Sequence, residues 1–306
     1  MLDTTLIAVA PPVHVVVVGD VMVDVVVRPL GPFNRGSDTP SEIVVTPGGS
    51  GANQAVALAA AGARVSLVGV VGYDDFGQAA ASALAAAGIE ARLAVSSDAR
   101  TGMVVSLVGG SGQRSMLTDR GANITLGESS FSGDLFAAGR HLHLSGYELL
   151  DDATRPAGLT ALALAAGCGM TRSVDPCSAG PLARVGAPAF LAWTHGVDLC
   201  CANFDEGRAL SGAEDPEEII GYLRHYYKEV ALTLGADGAL FSGDGYELIY
   251  APAEPVEVTD TTGAGDAFTG TFLAMRLGGV PPDEALRAGL AASARVVTTP
   301  GARPWA

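Results

Sequence analysis

The chain has 306 residues, of which 48% are hydrophobic, and a mean hydropathy of +0.32. This apolar content supports a large folded core and excludes global disorder, and we predict a single domain over residues 1–306. Thirty-three acidic residues against 18 basic ones give a net charge of −15, so nucleic-acid backbones and anionic membranes are disfavoured as partners.

The scarcity of lysine excludes two widespread phosphate-binding arrangements. Lys228, in Tyr-Tyr-Lys-Glu, is the only lysine of the chain. A P-loop needs a lysine directly after its glycines, and a protein kinase needs one on a buried strand. Neither context surrounds Lys228, so P-loop enzymes and protein kinases are excluded.

Cysteine usage and the N-terminal sequence indicate a cytoplasmic protein. The four cysteines contain no Cys-x-x-Cys pair, which disfavours a zinc site or a disulfide framework. The first residues lack the basic start of a signal peptide. The most apolar early run, residues 13–27, is interrupted by Asp20 and Asp24 and is therefore not a membrane span.

The first part of the chain predicts short β-strands and two alanine-rich helices. A β-branched run that ends at Gly19-Asp20 indicates a buried strand, and Gly48-Gly49-Ser50-Gly51 opens the first helix. A hairpin is predicted across the turn at residues 109–112. Strands are predicted at 13–19, 21–28, 42–46, 65–71, 101–108 and 114–118, and helices at 52–61 and 75–87.

From about residue 140 onward, strands and helices alternate, which predicts a parallel sheet with helices on both faces. These later strands are predicted at 140–145, 171–175, 197–201, 230–234 and 238–242. The earlier strands, rich in valine and glycine, do not fit the alternation. We therefore predict a three-layer α/β/α domain with a mainly parallel central sheet and a small β-rich lid, formed by residues 21–46 and 101–118.

Four segments rich in glycine or acidic residues follow predicted strands. In an open parallel sheet, ligands bind beyond the carboxyl ends of the strands, where helix N-termini offer N–H groups to anions. The segments are 19–20, 48–53, 203–206 and 260–266. They predict an anion-binding site at this edge of the sheet.

The segment Asp260-Thr261-Thr262-Gly263-Ala264-Gly265-Asp266 carries the most specific chemical signal. Two glycines separated by one small residue let consecutive N–H groups turn inward at a helix start, which binds an anion without lysine. A carboxylate beside such an anion is unfavourable unless it accepts a proton from an attacking hydroxyl, so Asp266 is predicted to be a general base. The alternative is that Asp260 or Thr262 merely caps the helix.

This segment resembles the D-T-x-G-A-G-D pattern of the ribokinase-like carbohydrate kinases, the PfkB family. The resemblance implies that Asp266 is the catalytic base and that Gly263, Ala264 and Gly265 form the anion hole. It also implies that Asp260 and Thr262 bind an activating monovalent cation, usually potassium.

A di-glycine segment near the N-terminus extends the resemblance. Residues 48–55, Gly-Gly-Ser-Gly-Ala-Asn-Gln-Ala, look most similar to the ribokinase branch, and the likeness runs from about residue 13 to 301. It implies a sugar site made by Asp24, Gly48, Gly49 and Asn53. Ribokinases usually carry a lysine where this chain has Ser50, which makes ribose less secure than kinase activity.

Two further segments match the family pattern, and each has a plainer interpretation. Asn203 and Glu206 match an N-x-x-E motif that organises the water shell of magnesium, although the same spacing also describes a capping box. Thr233, Gly235 and Gly238 match a segment near the nucleotide phosphates and ribose, although an ordinary tight turn is equally compatible.

The remaining polar candidates favour structural interpretations. His141 and His143 share one face of a strand without a third metal ligand nearby, so they are expected to be core histidines. Arg114 and Arg120 are expected in a solvated loop, although an inward orientation would favour an acidic sugar. The dinucleotide fingerprint G-x-G-x-x-G fails because Gln54 and Phe268 replace its third glycine.

Taken with the resemblance, these motifs predict a kinase that uses ATP and Mg²⁺, with potassium as an activator, and phosphorylates a primary hydroxyl of ribose or a similar free sugar. The alternatives are a nucleoside kinase of adenosine or pseudouridine type, a kinase of an acidic sugar such as 2-keto-3-deoxygluconate, and a non-catalytic sensor. A nucleoside would need a stacking aromatic, for which Phe33 is the lid candidate. The resemblance also implies an adenine pocket near residues 282–301 and a homodimer.

Overall fold

The computed structural model describes residues 12–108 and 114–298. Its strands are β1 His14–Val18, β2 Met22–Pro29, β3 Ser41–Gly48, β4 Arg64–Gly72, β5 Glu90–Ser96, β6 Gly102–Val108, β7 Arg114–Asp119, β8 His141–Ser145, β9 Thr171–Asp175, β10 Leu199–Asn203, β11 Glu229–Thr233, β12 Ala239–Gly243 and β13 Tyr246–Ala251. Its α-helices are α1 Ser50–Ala60, α2 Asp75–Ala86, α3 Tyr147–Leu150, α4 Arg155–Gly167, α5 Ala179–Val185, α6 Ala187–Thr194, α7 Phe204–Ser211, α8 Pro216–Leu223, α9 Ala264–Leu277 and α10 Pro282–Val297. The predicted hairpin turn at 109–112 and the last residues of the predicted adenine pocket, 299–301, lie outside the described residues.

The central sheet is mainly parallel and has a helical layer on each face. Within the described residues its strand order is β13-β12-β11-β10-β9-β8-β1-β4-β5, and β12 and β13 run antiparallel to their neighbours. Strand β1 shows why both faces are covered: Val16 and Val18 belong to one buried cluster, and Val15 and Val17 to the other. Alternating side chains of a strand point to opposite faces, so the four valines of β1 are buried on both faces of the sheet.

A second, smaller sheet comes from the segments predicted to form the lid. In the part of the chain that the structure describes, its order is β3-β2-β6-β7, with β2 and β6 parallel and the other pairs antiparallel. The predicted α/β class, with a large mainly parallel sheet and a small β-rich one, is confirmed. Across residues 12–108 and 114–298, no helix combines the length and apolar character needed to cross a membrane.

Helices α1 and α9 pack together unusually closely. A Cβ atom placed on Gly270 of α9 would lie 2.5 Å from the Cβ of Ala57 and 2.6 Å from the carbonyl oxygen of Gln54, both in α1. Real Cβ atoms do not approach other heavy atoms this closely, so only glycine allows the two helix backbones to meet here. Because both helices begin at the carboxyl edge of the sheet, this contact fixes the relative position of their first turns.

Replacing Gly270 by alanine should therefore lower the free energy of unfolding by about 1–3 kcal/mol, the usual cost of overpacking. Urea denaturation followed by circular dichroism measures this free energy. Gly221→Ala is the matched control, because Gly221 is also helical but has open space around its Cβ position. That substitution should stabilise the protein by about 0.5–1 kcal/mol. A Gly270→Ala protein as stable as the unmodified chain would show that the helices separate at no cost.

Candidate active site

A cleft of about 760 Å³ opens between the carboxyl edge of the central sheet and the small sheet. Asp20 follows β1 on its wall, and Asp175, Asn203 and Thr233 end β9, β10 and β11 there. The small sheet contributes side chains from β2, β6 and β7, namely Met22, Asp24, Val26, Val104, Ser106, Met116 and Thr118. All four segments predicted to meet at this edge contribute to the cleft.

The wall of the cleft is strongly acidic. The carboxylate residues that line it are Asp20, Asp24, Asp151, Asp175, Glu206 and Asp266. Burial raises the pKa of Asp175 to about 6, and burial together with the charge of Asp175 raises the pKa of Glu206 well above its usual range. So many carboxylates in one cleft favour the binding of cations.

Asp266 lies in the first turn of α9 and is held by two donors from the first turn of α1. The Ser50 hydroxyl donates to its Oδ1 at 2.7 Å, and the Asn53 amide donates to its Oδ2 at 2.9 Å. Burial raises the pKa of Asp266 to about 7, and the charges of Asp175 and Asp20 also raise it, while the two donors act in the opposite direction. A carboxylate with a pKa near neutrality is suited to accept a proton.

The start of α9 is shaped by Gly263, which is the N-cap in the left-handed conformation, with φ of 76°. No side chain caps this helix, so capping by Asp260 or Thr262 is not what the structure shows. Of the predicted anion hole, Gly263 and Gly265 line the cleft. The Ala264 N–H instead donates to the carbonyl of Thr261 at 3.3 Å. The first N–H groups of a helix have no partner within it, so this end suits an anion.

The carboxylate of Asp260 accepts hydrogen bonds from Thr262, through the backbone N–H at 2.9 Å and the hydroxyl at 2.7 Å. Its second oxygen lies 3.8 Å from the Arg28 guanidinium. These oxygen donors belong to the class that a hard monovalent cation prefers. Arg28 already supplies positive charge on one side of them.

The di-glycine segment brings α1 against the small sheet. A Cβ on Gly48 would overlap the carboxyl group of Asp24 in β2, and one on Gly49 would lie 2.6 Å from the carbonyl oxygen of Asp20. Gly49 also has a positive φ of 91°. Gly48 is therefore required for Asp24 to approach the start of α1, and Gly49 is required for the close approach to Asp20. Asp24 and Asn53 both lie on the cleft wall.

Asn203 and Glu206 form the capping box that their spacing allowed. Asn203 Oδ1 accepts from the Glu206 N–H at 2.9 Å, and Glu206 Oε2 accepts from the Asn203 N–H at 2.9 Å. Both side chains also line the cleft. The described residues contain no cluster of three or more histidine, cysteine or acidic side chains able to hold a metal directly. This donor set fits a magnesium ion held through its waters, which is how Mg²⁺ commonly binds.

The predicted nucleotide segment forms the tight turn between β11 and β12. The Leu234 N–H donates to the Gly238 carbonyl at 2.8 Å, and Gly235 and Gly238 have positive φ values of 62° and 107°. Thr233 lines the cleft. The two glycines are explained by the turn, and a role in nucleotide binding stays a prediction for all three residues.

Sequence reasoning missed the contributions of Ser50, Asp175 and Cys177. Asp175 accepts from the Cys177 N–H at 2.8 Å, in a turn that places Cys177 at a positive φ of 70°. This conformation is uncommon for a non-glycine residue and costs on the order of 1 kcal/mol. The position of Asp175 at the end of a buried strand was a usable signal for that residue. By contrast, nothing in the local sequence marks Ser50 as a partner of Asp266.

Arg120 lines the cleft and is mostly buried, so the expectation of a solvated loop arginine is wrong for it. Its guanidinium is bound to Glu148 at 3.1 Å and Asp151 at 3.3 Å. The side chain of Arg114 lies outside the described part of the chain.

Phe33 is 70% exposed and does not line the cleft, whereas Tyr147 does. His141 and His143 are buried and hydrogen-bonded, as expected.

Comparison with known proteins agrees with this geometry. A profile of the pfkB family of carbohydrate kinases matches residues 13–305. The 2-dehydro-3-deoxygluconokinase of Thermoproteus tenax is 31% identical over 262 residues, which are 83% of this chain and 80% of that protein. The crystal structure of an adenosine kinase from Sinorhizobium meliloti superimposes with a TM-score of 0.85 at 25% identity, covering 97% of each chain.

A structure described as ribokinase II from E. coli, in complex with ATP and Mg²⁺, superimposes with a TM-score of 0.82 at 25% identity. It covers 95% of this chain and 94% of its own. The family profile, over residues 13–305, includes both sheets and every segment that lines the cleft. Fold, motifs and family profile agree, and the chain belongs to the PfkB family of carbohydrate kinases, phosphotransferases that act on sugar hydroxyls.

Proposed function

We propose that this protein transfers the γ-phosphate of ATP to a primary hydroxyl of a free sugar, ribose or a similar one, with Asp266 as the general base. The observation that carries the proposal is the setting of Asp266. It is partly buried at the start of α9, is bound by Ser50 and Asn53, and has a pKa raised to about 7. A base with that pKa is partly ionised at neutral pH and still basic enough to remove a proton.

The chemistry is an in-line displacement at phosphorus. The sugar hydroxyl gives its proton to Asp266, its oxygen bonds to the γ-phosphorus, and the bond to the β–γ bridging oxygen breaks to release ADP. Backbone N–H groups of Gly263 and Gly265 stabilise the charge that develops on the transferred group. The proton on Asp266 then returns to solvent as the products leave.

The other cleft residues hold the reactants. Asp24, Gly48, Gly49 and Asn53 bind the sugar hydroxyls, and the small sheet covers them and excludes water that would otherwise hydrolyse ATP. The nucleotide lies along Thr233, Gly235 and Gly238 with its adenine toward α10. These assignments rest on the family resemblance and on the positions of Asp24, Asn53 and Thr233 in the cleft.

Two cations complete the proposal. Asn203 and Glu206 would hold Mg²⁺ through its waters, and the metal neutralises charge on the phosphates when it is bound. Asp260 and Thr262 would hold potassium near the start of α9. Because the cleft wall is acidic, these cations offset its repulsion of ATP.

Two other acceptors have some support. The solved adenosine kinase with the same fold and the presence of Tyr147 on the cleft wall favour a nucleoside. The 2-dehydro-3-deoxygluconokinase relative favours an acidic sugar, and the exposed Arg184 on the cleft wall would be its partner. A free sugar ranks first because the side chains of the small sheet that reach the cleft are aliphatic or small and polar, with no aromatic among those described.

Asp266→Asn should lower turnover by about 10²–10⁴-fold, because the amide cannot accept the hydroxyl proton. Release of ADP, measured with a coupled assay, gives the turnover. Asp75→Asn is the matched control, since Asp75 is an exposed aspartate in the first turn of another helix, α2. Near-normal turnover in Asp266→Asn would remove the proposed mechanism.

Ser50→Ala should move the acidic limb of the kcat/KM profile to higher pH. In the unmodified protein activity should fall as the pH drops below about 7, because Asp266 becomes protonated. Removing the Ser50 donor destabilises the carboxylate and raises the pKa further. Ser178→Ala, at another serine of the cleft wall, should leave the limb in place. A limb that stays fixed or moves to lower pH in Ser50→Ala contradicts this assignment of the base.

A panel of acceptors tests the substrate class. Aldopentoses, hexoses, acidic sugars and nucleosides are each mixed with Mg-ATP, in potassium and in a salt of a large organic cation. We expect the highest kcat/KM with a free sugar and a higher rate in potassium. Turnover confined to nucleosides or acidic sugars would replace the sugar with that class. ATP binding with no ADP release on the whole panel would favour a sensor.

A further inference from the structure

An unbroken chain of hydrogen-bonded side chains runs through the core to the cleft. Asp175 accepts from the Gln54 amide at 2.8 Å, and the Gln54 oxygen lies 2.9 Å from Nε2 of His143. Ser173 Oγ lies 2.7 Å from Nδ1 of His143 and 2.7 Å from Nε2 of His141. Nδ1 of His141 lies 2.8 Å from the Thr171 hydroxyl at the exposed end. We call these six residues the Asp175 chain.

The register of two strands accounts for this alignment. Thr171, Ser173 and Asp175 are alternate residues of β9, and β8 places His141 beside Thr171 and His143 beside Ser173. Alternate residues share one face of a sheet, so all five side chains point to the same side. Gln54 of α1 is completely buried and bridges the last gap to Asp175.

The hydrogen-bond donors of the Asp175 chain can be oriented in only one direction. Burial lowers the pKa of both histidines to about 3, so each is neutral and has one donor and one acceptor nitrogen. An ionised Asp175 only accepts, so Gln54 donates its amide N–H to it and its oxygen must receive the Nε2–H of His143. Ser173 then donates to His143 and receives the Nε2–H of His141, which in turn accepts from Thr171. Every donor therefore faces Asp175.

The carboxylate at the end of the chain joins the two helices that carry the reactive groups. Asp175 also accepts from the Thr269 hydroxyl of α9 at 3.1 Å. Gln54 directly follows Asn53 in α1, and Thr269 lies about one turn after Asp266 in α9. Asp175 thus holds the first turns of both helices at the point where Asn53 meets Asp266.

We propose that Gln54, His143, Ser173 and His141 are positioning residues for phosphoryl transfer, which hold Asp175 and, through it, the contact between α1 and Asp266. This role rests on the proposed function, because it presupposes that Asp266 acts as the base in phosphoryl transfer. Aliphatic side chains in these places would fill the core without needing any partners. The Asp175 chain instead buries five polar side chains between the central sheet and α1, and all of them are paired.

The first test determines directly which imidazole nitrogens of His141 and His143 carry a proton. Imidazole ¹⁵N–¹H correlation spectra at pH 7 should show His141 and His143 as neutral, Nε2-protonated tautomers, assigned with His141→Asn and His143→Gln proteins. An Nδ1-protonated or charged ring at either position would overturn the directed chain. This spectrum does not depend on which acceptor the enzyme uses.

The second test measures catalysis. Gln54→Met, which keeps the volume but loses both hydrogen bonds, should lower kcat about 10–100-fold, the effect of a small misplacement of reacting groups. The KM for the acceptor should stay within about threefold. Unchanged kcat, or a rise in KM alone, would overturn the positioning role.

A second pair of variants keeps the test valid if Gln54→Met does not fold. His143→Gln retains a donor toward Gln54, whereas His143→Leu removes it, so the first should recover much of the kcat that the second loses. Equal losses of kcat in two folded proteins would mean that only packing matters.

An unmodified protein with no turnover on any acceptor would refute the proposed function itself, and the positioning role with it. An active protein whose Gln54→Met variant is equally active refutes the positioning role alone.

Discussion

The hydrogen bonds from Ser50 and Asn53 to Asp266 are the interaction on which the rest of the site depends. They join the first turns of α1 and α9 through a partly buried carboxylate. An ionised carboxylate loses much solvation energy on burial, and its donors offset only part of that cost, so its pKa stays near neutrality. The close packing at Gly270 brings these two helices together, and the close approach of Gly49 to the Asp20 carbonyl fixes where α1 begins.

The acidity of the cleft follows from the same arrangement. Asp175, Glu206 and Asp266 each have a raised pKa, chiefly because of burial, and the charge of Asp175 adds to the rise at both Glu206 and Asp266. A site built in this way binds a polyanion poorly by itself. The single lysine of the chain does not offset this acidity, because it pairs with Asp198 and does not line the cleft.

Much of the fold and part of the site were predictable because parallel strands bring distant segments to one edge. The valine runs identified buried strands, and the glycine- and acid-rich segments after them all reached the cleft. Strands β5 and β13 were missed, since both lie at sheet edges and expose much of their length, which weakens the hydrophobic pattern. The Ser50–Asp266 bond joins residues 216 positions apart, and local sequence contains no sign of such a contact.

Arg120 shows that a charged side chain on the cleft wall is not always available to bind a charged substrate. The sequence left open whether this arginine would bind an acidic sugar. In the structure its guanidinium is shared by Glu148 and Asp151, so a sugar carboxylate would have to displace a partner that is already in place. Breaking such a mostly buried pair exposes uncompensated charge on both sides. An acidic acceptor would therefore have to rely on the exposed Arg184 instead.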